Sequence, residues 1–190
     1  MSHYFILVGL VLGINLLPAF APPTWIILVF YKLNTDMNSI AIVLLGVTAS
    51  ASGRYLLALG VRAIRGKLKH EYVQNLENLR SRLDRGRRGY IVYFLFFALA
   101  PIPSAQLFEA AALMGTPLIP ITAAFMVGRT ISYSLYVFGA STLKTHAMSR
   151  VLIDSIKSPW GIAIQVACLI ALYFLMKIDW SKYLPEKSPH

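Results

Sequence analysis

Residues 17–23 read Leu17-Pro18-Ala19-Phe20-Ala21-Pro22-Pro23, and residues 100–103 read Ala100-Pro101-Ile102-Pro103. Each stretch interrupts an apolar run with prolines. Proline has no backbone N–H, and its ring clashes with the preceding helical turn, so a helix must kink or stop there. The first break separates apolar residues 4–17 from a short run at 24–33. A run of about ten residues is too brief to cross a bilayer alone. The second break divides the apolar region 90–115.

The composition places both breaks in a lipid setting. The 190 residues are 57% hydrophobic and 14% charged, with a mean hydropathy of +0.62. Soluble domains carry about 25% charged residues, so a water-exposed surface would lack charge here. Uninterrupted apolar runs lie at 39–61, 118–141 and 159–176. Each is long enough for a helix to cross a hydrocarbon core of about 30 Å. Nine of the eighteen Lys and Arg fall between Arg62 and Arg88. Flanked by apolar spans, that concentration reads as a cytoplasmic loop and argues against nucleic-acid binding. A cleaved signal is not expected, although Ala19-Phe20-Ala21 has small residues at the right spacing. Met1-Ser2-His3 supplies no positive n-region.

Orientation follows from the basic loop. With 62–89 inside, 39–61 runs inward, 118–141 runs outward and 159–176 returns, leaving the tail 177–190 inside. Residue 90 then starts inside, and residue 118 must start inside too. The segment 90–115 is therefore expected to enter and come back. Two half-helices of about 11 residues, each roughly 16 Å, reach the midplane and return. By the same logic 4–33 is a hairpin entering from outside, turning at Pro18 to Pro23.

The halves now match. Pro22-Pro23 is followed by Gly53-Arg54 in the first, and Pro101-x-Pro103 by Gly128-Arg129 at a similar separation in the second. The expected fold class is an all-α integral membrane protein of two inverted repeats, 1–61 and 90–142. Each is a re-entrant helical hairpin (4–33 and 90–115) plus a transmembrane helix (39–61 and 118–141). A basic amphipathic linker helix within 62–89 joins them, and a C-terminal transmembrane helix, 159–176, follows. In the linker, Leu68, Tyr72, Leu76, Leu79 and Leu83 form one stripe. Lys67, Lys69, Arg80, Arg82, Arg85, Arg87 and Arg88 are candidates for contact with an anionic leaflet. The stripe equally suits packing on the rest of the protein. Gly46, Ala49, Ser50 and Gly53, and Ala124, Gly128 and Ser132, are small-residue faces that let helices approach closely.

Arg54, Glu109 and Arg129 are the ionisable residues inside apolar stretches. Such groups cost at least ~2.5–3.5 kcal/mol at the bilayer centre, so they pair or face a cavity. Two readings of Glu109 stay open: a buried ion pair with one arginine, or a protonation or headgroup site. An arginine at a cavity matches phosphate oxygens. His3, His70, His146 and His190 are dispersed, no metal-ligand spacing or nucleotide loop occurs, and Cys168 stands alone. No enzyme activity, metal or cofactor is expected, and transport would be passive or gradient-driven.

Over residues 18–139 the chain resembles the DedA superfamily, also called VTT or SNARE-associated membrane proteins. The resemblance rests on the doubled layout, on Phe97-Ala98-Leu99-Ala100-Pro101-Ile102-Pro103 followed by Ala111-Ala112-Leu113-Met114-Gly115, and on Phe125, Gly128-Arg129 and Gly139. It implies two re-entrant hairpins and lipid movement between leaflets. The cargo would be a polyprenyl-phosphate, as in bacterial members, or a phospholipid, as in eukaryotic scrambling. The chain departs from the family in carrying Ala100 and Gln106 where members have arginines. It also has no acidic residue between Pro18 and Trp25. The expected substrate path is then Pro22, Pro23, Arg54, Pro101, Pro103, Gln106, Glu109 and Arg129. The expected partners are membrane lipids, anionic ones foremost, in a prokaryotic cytoplasmic membrane. Homo-oligomerisation stays open. The alternatives are a small-solute or cation exporter and a non-transporting scaffold that binds anionic lipid through the linker helix.

Cysteines placed beside His3 and Lys32 are expected to label from one side of the membrane, opposite the basic linker. Labelling from opposite sides would make 4–33 a span and remove the hairpin.

Overall fold

A computed structural model describes residues 2–68, 70–83, 104–140 and 159–177. The described residues form seven helices and no strand. They are α1 (Ser2–Leu16), α2 (Thr24–Asn34), α3 (Ser39–Arg65), α4 (His70–Leu83), α5 (Ser104–Leu113), α6 (Leu118–Ala140) and α7 (Pro159–Lys177). Of these, α3, with 27 residues, and α6, with 23, are long and apolar enough to cross a membrane. Helices α1 and α2 are apolar but shorter.

The first proline break ends α1 and reverses the chain. Near the end of α1, Asn15 and Leu12 lie against Gly53, where a Cβ would sit 2.7 Å from Asn15 Cβ and 2.9 Å from the Leu12 carbonyl oxygen. Early in α2, Leu28 lies against Gly46, nearer the start of α3. Helix α2 then stops at Asn34, where the Thr35 N–H closes onto the Tyr31 carbonyl. Asn38 caps α3, its side chain accepting from the Ile40 N–H at 2.8 Å. Asparagine is among the residues preferred at such a position. Leu7 and Val11 of α1 share a core with Leu28, Met37, Ile42 and Val43. Both arms therefore flank the first half of α3, and their turn sits beside its middle. Arg54, just past the midpoint of α3, marks that level.

Helix α5 runs along the second half of α3. Phe108, Ala111 and Ala112 pack with Ala51 and Ala58, while Leu118, Ile121 and Phe125 of α6 close the cluster. Phe108 and Phe125 meet edge to face with centroids 5.4 Å apart, a favoured arrangement for aromatic rings. Helix α5 ends in a glycine cap. Gly115 has φ +71°, its N–H donates to Ala112, and the Thr116 N–H reaches back to Ala111. Helix α6 returns antiparallel to α3, its early residues beside Ala51 and Ala58 and its later ones, Tyr133 and Val137, beside Ile42 and Val43. It also meets α2, with Trp25 stacked on Tyr136 at 4.9 Å. The packing is reciprocal. Helix α2 lies on α6, and α5 lies on α3.

Several boundaries differ from the expectation. Helix α1 begins at Ser2 and ends at Leu16, α6 ends at Ala140 and α7 includes Lys177. Helix α3 continues past Val61 to Arg65, because Arg62 and Arg65 suit the negative end of a helix. They serve a second end as well. Arg62 Nη2 donates to the Thr116 carbonyl, and the Arg65 guanidinium faces Gly115, so both stand where α5 terminates. The linker helix begins at His70 after a bend at 66–68, which leaves Leu68 off the helix. Helix α4 packs against α7, and Leu76 is 3% exposed, so the stripe is covered by protein at that point. The second proline break, with Pro101 and Pro103, lies outside the described residues, as do Lys69, Arg85, Arg87 and Arg88. Arg80 and Arg82 belong to α4, but their side chains are not described. Lys67 is exposed.

Gly53→Ala is expected to lower the thermal midpoint of the detergent-solubilised protein by several degrees. The added Cβ meets backbone, and overpacking costs about 1–3 kcal/mol. Gly60→Ala, whose Cβ would meet nothing within 4 Å, should leave the midpoint unchanged. Equal effects would remove the close α1–α3 approach.

Candidate functional site

A helix that stops leaves its last carbonyls without intrahelical partners. Here two side chains from other helices supply donors. Arg54 Nη1 on α3 donates to the Asn15 carbonyl at 3.2 Å and the Leu17 carbonyl at 3.0 Å. Gln106 Nε2 on α5 donates to the Pro18 carbonyl at 3.3 Å. Asn15 ties the arms together, its Nδ2 donating to the Val11 carbonyl at 2.8 Å and to Thr24 Oγ1 at 3.0 Å. The turn itself carries Phe20 at φ +59°. That is a left-handed conformation, which non-glycine residues rarely adopt. Pro22 and Pro23 are half-buried in the turn, and Pro23 leads into α2 with no side-chain cap.

The polar groups are enclosed. Arg54 is 7% exposed, Gln106 4% and Glu109 6%. Among the described residues Arg54 Nε, Gln106 Oε1 and Glu109 Oε1 are buried without hydrogen-bond partners. Buried polar atoms are partnered in the great majority of cases, so these three atoms stand out. Arg54 is attracted by Glu109 and repelled by Arg129. Two cations thus face one anion in this group, leaving an excess of positive charge.

The structure brings together Arg54, Gln106 and Glu109 and adds the turn of Pro22 and Pro23. Arg129 is placed differently from an open cavity wall. Its guanidinium lies over Phe125 and Tyr133, 5.2 Å and 5.7 Å from the ring centroids. Those rings stand one helical turn away on either side, and their faces attract the cation. Two residues that belong here were not singled out from the sequence, Asn15 and Thr24. Asn15 is the lone strongly polar residue in the run 4–17 and shortly precedes Pro18, a signal available to inspection. Thr24 gives no comparable signal. No cluster of His, Cys, Asp or Glu suited to a metal occurs among the described residues. No family model, curated protein or solved structure matches the chain.

Asn15→Leu and Thr24→Val should each cost stability, about 1–3 kcal/mol for the polar partner orphaned in a buried site. The double variant should lose clearly less than the sum. Additive losses in a thermal unfolding series would show that the bond across the break is not formed.

Proposed function

We propose that the chain is an integral membrane protein that moves an anionic lipid, a phospholipid or polyprenyl-phosphate, between leaflets. The observation that carries this reading is the enclosed polar site at the α1–α2 turn, beside the middle of α3. It holds an excess of positive charge and unpartnered donor and acceptor atoms. In a lipid environment, irregular backbone at that depth is tolerated where protein buries it or water reaches it. An anionic headgroup fits the site's charge, since an arginine fork matches phosphate oxygens.

The outer surface supports the membrane setting. Large apolar side chains stand exposed on α1 (Phe5, Leu10), α3 (Leu44, Leu56), α6 (Ile119, Leu135) and α7 (Ile170, Phe174). An exterior this apolar is unsuited to water. We read α3, α6 and α7 as spans in a prokaryotic cytoplasmic membrane with the basic linker inside. We read 4–33 and 90–115 as re-entrant arms of two inverted repeats, the arrangement implied by the DedA resemblance. The exchange of arms between α3 and α6 supports that symmetry. Arg54, Gln106, Glu109 and Arg129 then border or support the path. Lys67 and its basic neighbours in the linker meet anionic headgroups at the surface.

Reconstitution into vesicles with a fluorescent phospholipid tests the reading. Wild type should equilibrate the label between leaflets. Glu109→Gln and Arg129→Ala should slow it by on the order of tenfold, about 1.4 kcal/mol in barrier height. Flux of a small cation without lipid movement would favour an exporter, and neither flux would favour a scaffold.

A further inference from the structure

The last turn of α3 carries Arg62 and Arg65, whose spacing puts them on one face of the helix. Arg62 Nη2 donates to the Thr116 carbonyl, and the Arg65 guanidinium lies against Gly115. Both side chains are half-buried, so the protein fixes where their charges stand, and Lys67 follows in an exposed position. Residues 62–71 hold Arg62, Arg65, Lys67 and Lys69 against Glu71, and residues 110–140 hold no acidic residue. The ends of α3 and α5 each bring roughly half a negative charge, and the starts of α4 and α6 bring about as much positive charge. The helix termini thus cancel, and the cluster keeps the positive excess of its side chains. Like charges at this spacing on a helix repel, and an anion between them relieves the repulsion. Apolar surface stands next to the charge: Ile64 is 57% exposed and Ile119 73%. From Ser39 to Arg62, α3 covers roughly 35 Å, slightly more than a hydrocarbon core of about 30 Å. Arg62 and Arg65 therefore stand where headgroups begin, beside the start of α6 at Leu118.

We propose that the junction of α3 with the α5–α6 connection is a docking site for one anionic phospholipid, its headgroup at Arg62 and Arg65 and its acyl chains along Ile64 and Ile119. The site rests on the membrane reading for its setting and is independent of transport, since it lies at the end of α3 and not at the α1–α2 turn. Charge complementarity selects the occupant. A zwitterionic lipid brings a cation of its own and leaves the positive excess in place, whereas an anionic one neutralises it. A soluble phosphate meets the charge but covers neither isoleucine. Exposed lysines such as Lys67 attract anionic lipid diffusely. The two arginines differ because backbone contacts at residues 115 and 116 hold them in place, so the charge they offer is localised. A headgroup there would tie the end of α3 to the start of α6, and the bound lipid would stabilise the folded protein by mass action.

The test follows the thermal midpoint of the full chain in detergent while phosphatidylglycerol, phosphatidylcholine or inorganic phosphate is added. Phosphatidylglycerol should raise the midpoint by several degrees and saturate, and the other two should leave it within error. An equal rise with phosphatidylcholine, a rise reproduced by inorganic phosphate, or no rise with phosphatidylglycerol overturns the site with no variant needed. So does a midpoint that climbs with protein concentration in the absence of lipid, which would give this face to a second copy. Pro117→Glu places a carboxylate beside Thr116 while leaving both arginines intact. Pro117 is exposed, and an acidic residue suits the start of a helix, so the variant should fold. It should lose most of the phosphatidylglycerol response. The double variant Lys67→Gln with Lys69→Gln should keep that response. A response that survives Pro117→Glu, or that disappears with the two lysines, would make the attraction diffuse and remove the site. Leaflet exchange in vesicles separates this inference from the transport reading. Exchange without a phosphatidylglycerol response removes only the docking site, and a response without exchange removes only transport.

Discussion

Backbone carbonyls left bare at the end of a helix must find donors, and most of this architecture follows from how α1 meets that demand. Water does the work at an ordinary helix end. At the α1–α2 turn it is done by a guanidinium from α3 and an amide from α5. These donors bring three elements to one point. They require α3 to pass the turn at close range, and the absence of a side chain at Gly53 permits it. They require α5 to begin near the same level, so that Gln106 reaches Pro18. Helices α1, α2, α3 and α5 are thus joined through a few polar contacts, with apolar packing of Leu7, Val11, Phe108 and Phe125 around them.

The far end of α5 is organised by the same physics with opposite means. There Gly115 supplies a left-handed cap that satisfies its own carbonyls locally, and Arg62 and Arg65 stand against the negative helix end. Helix α1 has no such cap. Prolines at 18, 22 and 23 stop the helix but supply no donors. The two ends differ in consequence. The capped end closes on its own backbone with two arginines of α3 beside it, while the α1 end takes its donors from side chains of α3 and α5.

The sequence carries the punctuation of this fold more fully than its partnerships. Prolines lack the donor that a continuing helix needs, so the end of α1 and the start of α2 are readable from residues 18–23 alone. The length of α3 is readable from its apolar run, although its last turn is not. Arg62 and Arg65 look like the first residues of a polar linker until their role at the end of α5 is known. Leu68 fits the stripe of α4 by spacing, yet Gly66 and the bend that follows exclude it from the helix. Within the site, Arg54 and Glu109 stand out because charge is rare in apolar segments, while Gln106 is singled out only through the family resemblance, as a departure from its pattern. Their partners do not stand out. The carbonyls that Arg54 takes are 39 and 37 residues away and belong to the backbone, which has no signature in residue type. Thr24 is hidden for a related reason, since a threonine at a helix start is commonplace and only its bond to Asn15 gives it meaning.

Arginine at position 54 suits this place in a way lysine would not. A lysine ammonium is a compact point charge on a flexible stem, whereas the guanidinium is planar and presents donors on separate edges. Nη1 bridges the carbonyls of residues 15 and 17 while the Nε–H points elsewhere, so a single side chain satisfies the backbone and still keeps a donor without a partner among the described residues. The helix ends reinforce this. The end of a helix such as α1 contributes roughly half a negative charge, while the beginnings of α2 and α5 contribute roughly half a positive charge each. Those beginnings stand at Thr24 and Ser104. Added to the excess cation of Arg54, Glu109 and Arg129, they leave the turn more positive than side chains alone would make it. A site so charged, enclosed in apolar surroundings, is favourable for a group that brings negative charge and oxygen acceptors and unfavourable for a cation. That electrostatic preference places the anionic-lipid reading ahead of a cation exporter.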